Sequence, residues 1–197
     1  MKHWEKELPA GYREAKVIDA KADKKLVRGM TAASFAVLLA FLALAVLWQG
    51  RRLSSEPMPL QQALVFWVAL IAYIVLHELV HGAAYKLLTG QKLTFGVTLT
   101  VAFCGVPEIY VYRRASLIAV LAPFVVFTVL GVVLLAVLPG AWTRFFLLIF
   151  LGLHIGGCSG DLYNTWLYLT RFKDPRTLTR DTGPVQTFYV PEQFNIT

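Results

Sequence analysis

His77-Glu78-Leu79-Val80-His81 places two imidazoles four residues apart, with a carboxylate beside the first. On a helix, positions four apart lie about 40° apart around the axis, so both rings face one way and can share a metal ion. The glutamate between them then sits where it can take a proton from a water on that ion. A chain of this length with four histidines and seven glutamates would contain the pattern by chance about 0.003 times. A catalytic zinc takes three protein ligands and keeps a fourth position for water. The residues able to complete such a set are Cys104, Glu108, His154, Cys158 and Asp161.

Hydropathy decides what must hold these residues. Of the 197 residues, 57% are hydrophobic and 16% charged, against about 45–50% and 25% in ordinary soluble domains. Uncharged runs extend from Gly29 to Gly50, Pro57 to Leu76 and Ala115 to Thr143, and from Pro57 to Thr170 the carboxylates are Glu78, Glu108 and Asp161 alone. Mostly apolar runs of about 18 or more residues have the length of a membrane crossing. The composition points to an integral, multi-pass membrane protein. It excludes a soluble enzyme, a disordered chain and a nucleic-acid-binding module.

The net charge of +7 is placed for membrane orientation. Lys2, Lys6, Arg13, Lys16, Lys21, Lys24, Lys25 and Arg28 precede the first apolar run; Lys86, Lys92, Arg113 and Arg114 flank the middle loop; Arg171, Lys173, Arg176 and Arg180 follow the last run. With four spans all three groups fall on one side, which the positive-inside rule assigns to the cytosol together with both termini. Arg51 and Arg52 are the exception. A bacterial plasma membrane is the expected location. The 29-residue lead is too long and too mixed in charge for the basic region of a cleavable signal, so the first span is expected to remain as an anchor.

The spans are expected at Met30–Trp48, Leu60–Leu88, Ala115–Leu138 and Ala141–Leu169, with Thr89-Gly90 and Pro139-Gly140 as stops. In the lead, Arg13 to Arg28 is compatible with a helix on the membrane surface. Between the second and third spans, Leu93, Phe95, Val97, Leu99 and Val101 alternate with polar or small residues, the period of a strand. With Glu108 to Tyr112 as the partner and Cys104-Gly105-Val106-Pro107 as the turn, this predicts a hairpin. It must lie at the interface or line a cavity, because an open strand edge in lipid leaves backbone groups unpaired. In the tail, Asp181-Thr182-Gly183-Pro184 reads as a turn. The expected architecture is an all-α membrane protein, a four-transmembrane-helix bundle with a small β-hairpin between helices two and three. Its parts are a cytosolic juxtamembrane segment (1–29), a four-span membrane domain (30–170) and a cytosolic tail (171–197).

Depth selects the third ligand. His77 and His81 lie 18 and 22 residues past Pro59, and Asp161 lies 21 past Gly140, whereas His154 lies only 14 past it. At 1.5 Å per residue Asp161 is level with the histidine pair and His154 is about 10 Å away along the axis. The expected ligands are therefore His77, His81 and Asp161, with Glu78 as the acid/base. An ionisable carboxylate inside a span costs about 2.5 kcal/mol or more, which argues against an idle one. His154, seven residues before Asp161 and so on its helix face, reads as a core histidine with a possible part in polarising substrate. Asn164, one turn after Asp161, is placed to hydrogen-bond a ligand or a substrate carbonyl. Pro123 removes a helical hydrogen bond and frees the carbonyl of Ala119. Gly156, Gly157 and Gly160 read as close helix packing, and Cys104 and Cys158 as buried thiols.

His77-Glu78-Leu79-Val80-His81-Gly82 on one span, Ala122-Pro123-Phe124 on the next and Gly160-Asp161 on the last resemble the putative zincin peptidase family, a domain of unknown function that is itself similar to the site-2 intramembrane zinc metalloproteases. The lead Leu8-Pro9-Ala10-Gly11-Tyr12 and most of the tail share the resemblance. It implies Zn2+ held by His77, His81 and Asp161, with Glu78 as acid/base, and intramembrane proteolysis as the activity. The function expected is that of a membrane-embedded zinc metallopeptidase in contact with membrane lipid, with its site facing the cytosol and a membrane-protein or peptide substrate. Strand addition to the hairpin would hold that substrate. Two alternatives are a non-catalytic metal-binding membrane protein, serving sensing, transport or structure, and a metallohydrolase of a non-peptide substrate.

Overall fold

A computed structural model describes residues 2–19, 22–97 and 102–194. Among the described residues, three helices are long and apolar enough to cross a membrane: α1 (Lys24–Leu53), α2 (Leu60–Thr89) and α3 (Arg113–Val137). Two shorter helices, α4 (Ala141–Gly157) and α5 (Ser159–Thr170), are bent by 50° at the break between them and make a fourth crossing if taken as one span. Large apolar side chains such as Phe35, Leu47, Trp67, Ile71 and Val129 stand exposed along these helices. Water would penalise that surface and hydrocarbon does not, so the helices are compatible with a multi-pass membrane protein. The expected fourth span thus differs in form. Glycines at 156, 157 and 160 weaken the helix around Cys158, where its direction changes.

The chain is not all-α. Among the described residues there are seven strands: β1 (Trp4–Glu5), β2 (Tyr12–Asp19), β3 (Thr94–Val97), β4 (Ala102–Gly105), β5 (Tyr110–Tyr112), β6 (Leu178–Asp181) and β7 (Val185–Pro191). An antiparallel five-stranded sheet has the order β1-β5-β6-β7-β2, and β3 and β4 form a separate pair. The surface helix expected from Arg13 is corrected by this sheet, since Tyr12–Asp19 pairs with Val185–Pro191. A bulge between Glu14 and Lys16 interrupts the two-residue period of β2, and its partner lies some 170 residues away, so neither signal is local. The hairpin is present with different strands. Thr94–Val97 pairs with Ala102–Gly105, while Tyr110–Tyr112 joins the larger sheet. Cys104 and Gly105, expected in the turn, belong to the returning strand; Leu99 and Val101 lie outside the described residues.

The chain divides into two compact units. The first comprises Met1–Val27, Val75–Pro123 and Asp161–Thr197. Its alternating strand β7 turns Gln186, Phe188 and Val190 inward, and Phe188 and Val190 pack with Ile18, Leu167, Tyr168 and Phe172. A second cluster joins Tyr85 to Val106, Ile109, Val111, Ala115 and Ala119. Arg113, at the start of α3, donates from Nε and Nη2 to the Tyr168 carbonyl (3.1 and 2.9 Å) and from Nε to that of Phe172 (2.9 Å). These bonds satisfy carbonyls that the end of α5 leaves without helical partners. The expected turn is present after β6, with Gly183 at φ 94 and Thr182 N–H donating to Val185 O. Gly90, at φ 69, closes α2 as expected.

The second unit comprises Arg28–Ile74 and Phe124–Gly160. Here α1 and α4 approach closely. A Cβ at Gly152 would stand 2.7 Å from the Phe41 side chain and one at Gly156 2.9 Å from Ser34 O. Ser34 Oγ donates to Gly156 O at 2.6 Å.

Candidate metal centre

The amphipathic logic of the motif is realised on the last turns of α2, within the first unit. His77 Nε2 and His81 Nε2 converge on one oxygen, Asp161 Oδ2, at 3.3 and 3.5 Å. The three ligand atoms all lie within 4.8 Å of one another. Zinc bonds of about 2.0–2.2 Å set neighbouring ligand atoms in a tetrahedron about 3.3–3.5 Å apart. A charge-assisted hydrogen bond would instead draw nitrogen and oxygen to about 2.7–2.9 Å. Two imidazole nitrogens and one carboxylate oxygen at this spacing fit a zinc ion. The His77 and Asp161 side chains retain 12% and 21% exposure, so the cluster is recessed without being sealed.

Pro123 has a consequence at this site. It lies inside α3, where its missing N–H leaves the carbonyl of Ala119 without its helical donor. His81 Nδ1 lies 2.8 Å from Ala119 O. A carbonyl oxygen only accepts, so Nδ1 carries the proton and the lone pair of Nε2 faces Asp161 Oδ2. The helix defect thereby selects the imidazole tautomer that a metal requires.

The remaining sequence candidates are distributed as follows. Asn164 lies one turn past Asp161 on α5, and its Oδ1 is buried without a hydrogen-bond partner. His154 is fully buried in the second unit. Tyr73 Oη stands 2.8 Å from its Nδ1, and Thr128 Oγ1 and Phe124 O stand 3.1 and 3.3 Å from its Nε2. The rings of Tyr73, Phe124, Phe127 and Phe150 surround it, the setting expected of a core histidine. Close packing explains Gly156 but not Gly157 or Gly160, where a Cβ would meet nothing within 4 Å. Cys104 and Cys158 are buried and neither forms a disulfide. Burial pushes the Cys104 thiol up to about 12, which keeps it protonated. Glu108 is exposed in the loop before β5.

Two features beside Glu78 were not read from the sequence. The backbone N–H of Cys104, on β4, points to the Glu78 carboxylate. Leu93 and Phe95 approach the same helix at Gly82, where a Cβ would stand 2.6 Å from Phe95 Cζ. One turn beyond His81, the hydroxyl of buried Tyr85 donates to Asp181 Oδ2 at 2.8 Å. Asp181 is also buried, and burial raises its carboxyl to about 6 against the opposing pull of the Gly183 N–H and the Tyr85 hydroxyl. The four-residue spacing of His81 and Tyr85 was the available signal for the tyrosine; Asp181 had none beyond its turn.

Residues 70–175, more than half of the chain and inclusive of His77, Glu78, His81 and Asp161, match the family described as "Putative zincin peptidase". The class is that of a zinc peptidase, and zinc is its cofactor. The chain belongs to this family. No curated protein and no solved structure matches it.

Proposed function

We propose that the chain is a membrane-embedded zinc metallopeptidase of the H-E-x-x-H, site-2-protease-like type, in which His77, His81 and Asp161 hold the ion and Glu78 is the acid/base. The observation that carries this reading is the convergence of both Nε2 atoms on Asp161 Oδ2, at separations fitting a tetrahedral ion. When bound, zinc supplies a Lewis acid for the scissile carbonyl and lowers the pKa of water toward about 7. Glu78 takes the proton of the attacking water on its carboxylate and returns it to the leaving amine. The Ala119 carbonyl holds the His81 ring, and Asn164 Oδ1, buried and without a partner among the described residues, lies one turn past Asp161.

The substrate is a peptide or an unwound segment of a membrane protein, approached from the cytosolic side. The basic residues of the lead, the middle loop and the tail support that orientation. The β3–β4 pair supports capture by strand addition, since it has no third strand among the described residues and its Cys104 N–H points to Glu78.

Metal analysis of detergent-purified wild type, Glu78→Gln and Asp161→Ala tests the assignment. About one zinc per chain is expected in wild type and Glu78→Gln, with loss or weakening in Asp161→Ala. A folded wild type that neither carries nor takes up zinc would refute it. Zinc retained by Glu78→Gln together with unchanged biological activity would instead assign a non-catalytic metal-binding role.

A further inference from the structure

Asp181 joins three separate pieces of the first unit. Its Oδ2 accepts from the Tyr85 hydroxyl on α2 at 2.8 Å, and its Oδ1 from the Gly183 N–H of its own turn at 2.9 Å. Its backbone carbonyl accepts from Val106 N–H, just past β4, at 2.8 Å. Gly105 makes this approach possible, because a Cβ there would stand 2.6 Å from Gly183 N and 2.9 Å from Asp181 O. The Phe103 ring covers Gly183 on the other side. The turn after β6 is thus wedged between β4 and the segment of α2 that carries the histidine pair.

Burying a carboxylate that makes no salt bridge among the described residues is costly, and an apolar residue would pack there without that cost. An arrangement that nonetheless spends both carboxylate oxygens and the carbonyl on three segments fixes those segments relative to one another. The neighbouring strands make the fixed distance matter: Cys104, adjacent to Gly105, pairs with Phe95, whose ring lies against Gly82 one turn past Glu78, and Tyr85 lies two turns from Glu78 on the same helix.

We propose that Asp181, acting through Tyr85 and the Gly105-Val106 backbone, is the positioning residue that latches strand β4 to the metal-site helix and so sets the Glu78 carboxylate against the strand edge where substrate backbone would add. This rests on the peptidase reading for its catalytic meaning, while the latch itself is a property of the fold. The partners of Asp181 are a hydroxyl, two backbone N–H groups and the turn.

Amide hydrogen exchange on the full chain in detergent, with and without added zinc, tests it. Tyr85→Phe removes one hydroxyl and keeps the ring; Asp181→Leu removes the carboxylate and keeps a side chain branched at Cγ, at the cost of added bulk. Both are expected to speed exchange of amides 102–106 by about tenfold or more, while β2 and β7 exchange as in wild type and zinc content is unchanged. The double variant should exchange no faster than the faster single one, because both changes break one device. Asp181→Asn should restore slow exchange, since its oxygen accepts from Gly183 N–H and its amide donates to the Tyr85 hydroxyl. Wild-type protection of 102–106 in Tyr85→Phe and Asp181→Leu would overturn the latch, and so would faster exchange spread evenly over the sheet. Absence of zinc from the wild type would defeat the peptidase reading alone, as the exchange pattern is read without it.

Discussion

Replacing Pro123 by alanine should move fold stability and zinc affinity in opposite directions. The new N–H at position 123 reaches the carbonyl of Ala119, which now accepts from His81 Nδ1 at 2.8 Å. A proline in a helix interior costs about 3 kcal/mol relative to alanine, so α3 gains up to that amount. The His81 ring, however, must share its acceptor or lose it. Loss of such a contact to a metal-bound histidine typically weakens metal binding about 10–100-fold, which corresponds to about 1.4–2.7 kcal/mol. Thermal unfolding of the metal-free protein in detergent reads the first effect, and competition with a chromophoric zinc chelator reads the second. The expected result is a higher melting temperature without metal and an affinity lower by one to two orders of magnitude. A variant that is stabilised yet binds zinc like wild type would refute the reasoning, because His81 would then be oriented without the Ala119 carbonyl. A change that merely loosened the membrane helices would lower both quantities together.

Other outcomes follow from single side chains. Glu78→Gln should keep its zinc and lose about 10²–10⁴-fold in turnover on a substrate identified by profiling, whereas Asp161→Asn should weaken zinc binding itself; equal zinc loss in both would remove the division of roles. Stability should vary with pH through Asp181, whose folded carboxyl is raised to about 6 from an ordinary value near 3.8. A raised value means the group favours the folded state below about pH 4, with that contribution lost as pH rises through about 6; the span is about 3 kcal/mol. Unfolding of Asp181→Asn between pH 4 and 7 should lack this component, and an unaltered pH profile would remove Asp181 as its source. Arg113→Met deletes the donors to the Tyr168 and Phe172 carbonyls and should cost about 2 kcal/mol in denaturant unfolding; an unchanged midpoint would show that water replaces those bonds.

The grouping of His77, His81 and Asp161 was legible in the sequence because its geometry is helical and its level follows from depth. A four-residue repeat places His77 and His81 on one face of any helix. Counting from Pro59 and Gly140 brought Asp161 level with them even though α4 and α5 bend at Cys158, since the bend lies before the aspartate and the last three residues add little rise. Pro123 was legible for a similar reason: a proline frees a carbonyl wherever its helix lies. Which group would use that carbonyl depended on how α2 and α3 pack, and only the tertiary structure supplied His81.

The sheet was hidden for the converse reason. Tyr12–Asp19 and Val185–Pro191 gain their backbone partners from opposite ends of the chain, and the bulge at Glu14 scrambles the alternation that marks a strand. The return strand of the hairpin was misplaced because Tyr110–Tyr112 is equally fit to pair with β3, β1 or β6, and pairing is decided by the neighbours that cover each face. His154 shows the limit on the polar side: spacing alone named none of Tyr73, Thr128 and Phe124, the groups that line its ring. Residue type, spacing and hydropathy determined the candidate ligand cluster and the apolar helices, since these depend on interactions within a single helix or with the solvent around it. The partners of Ala119 O, Glu78 and Asp181 depend on contacts between distant segments, and those exist only once the chain has folded.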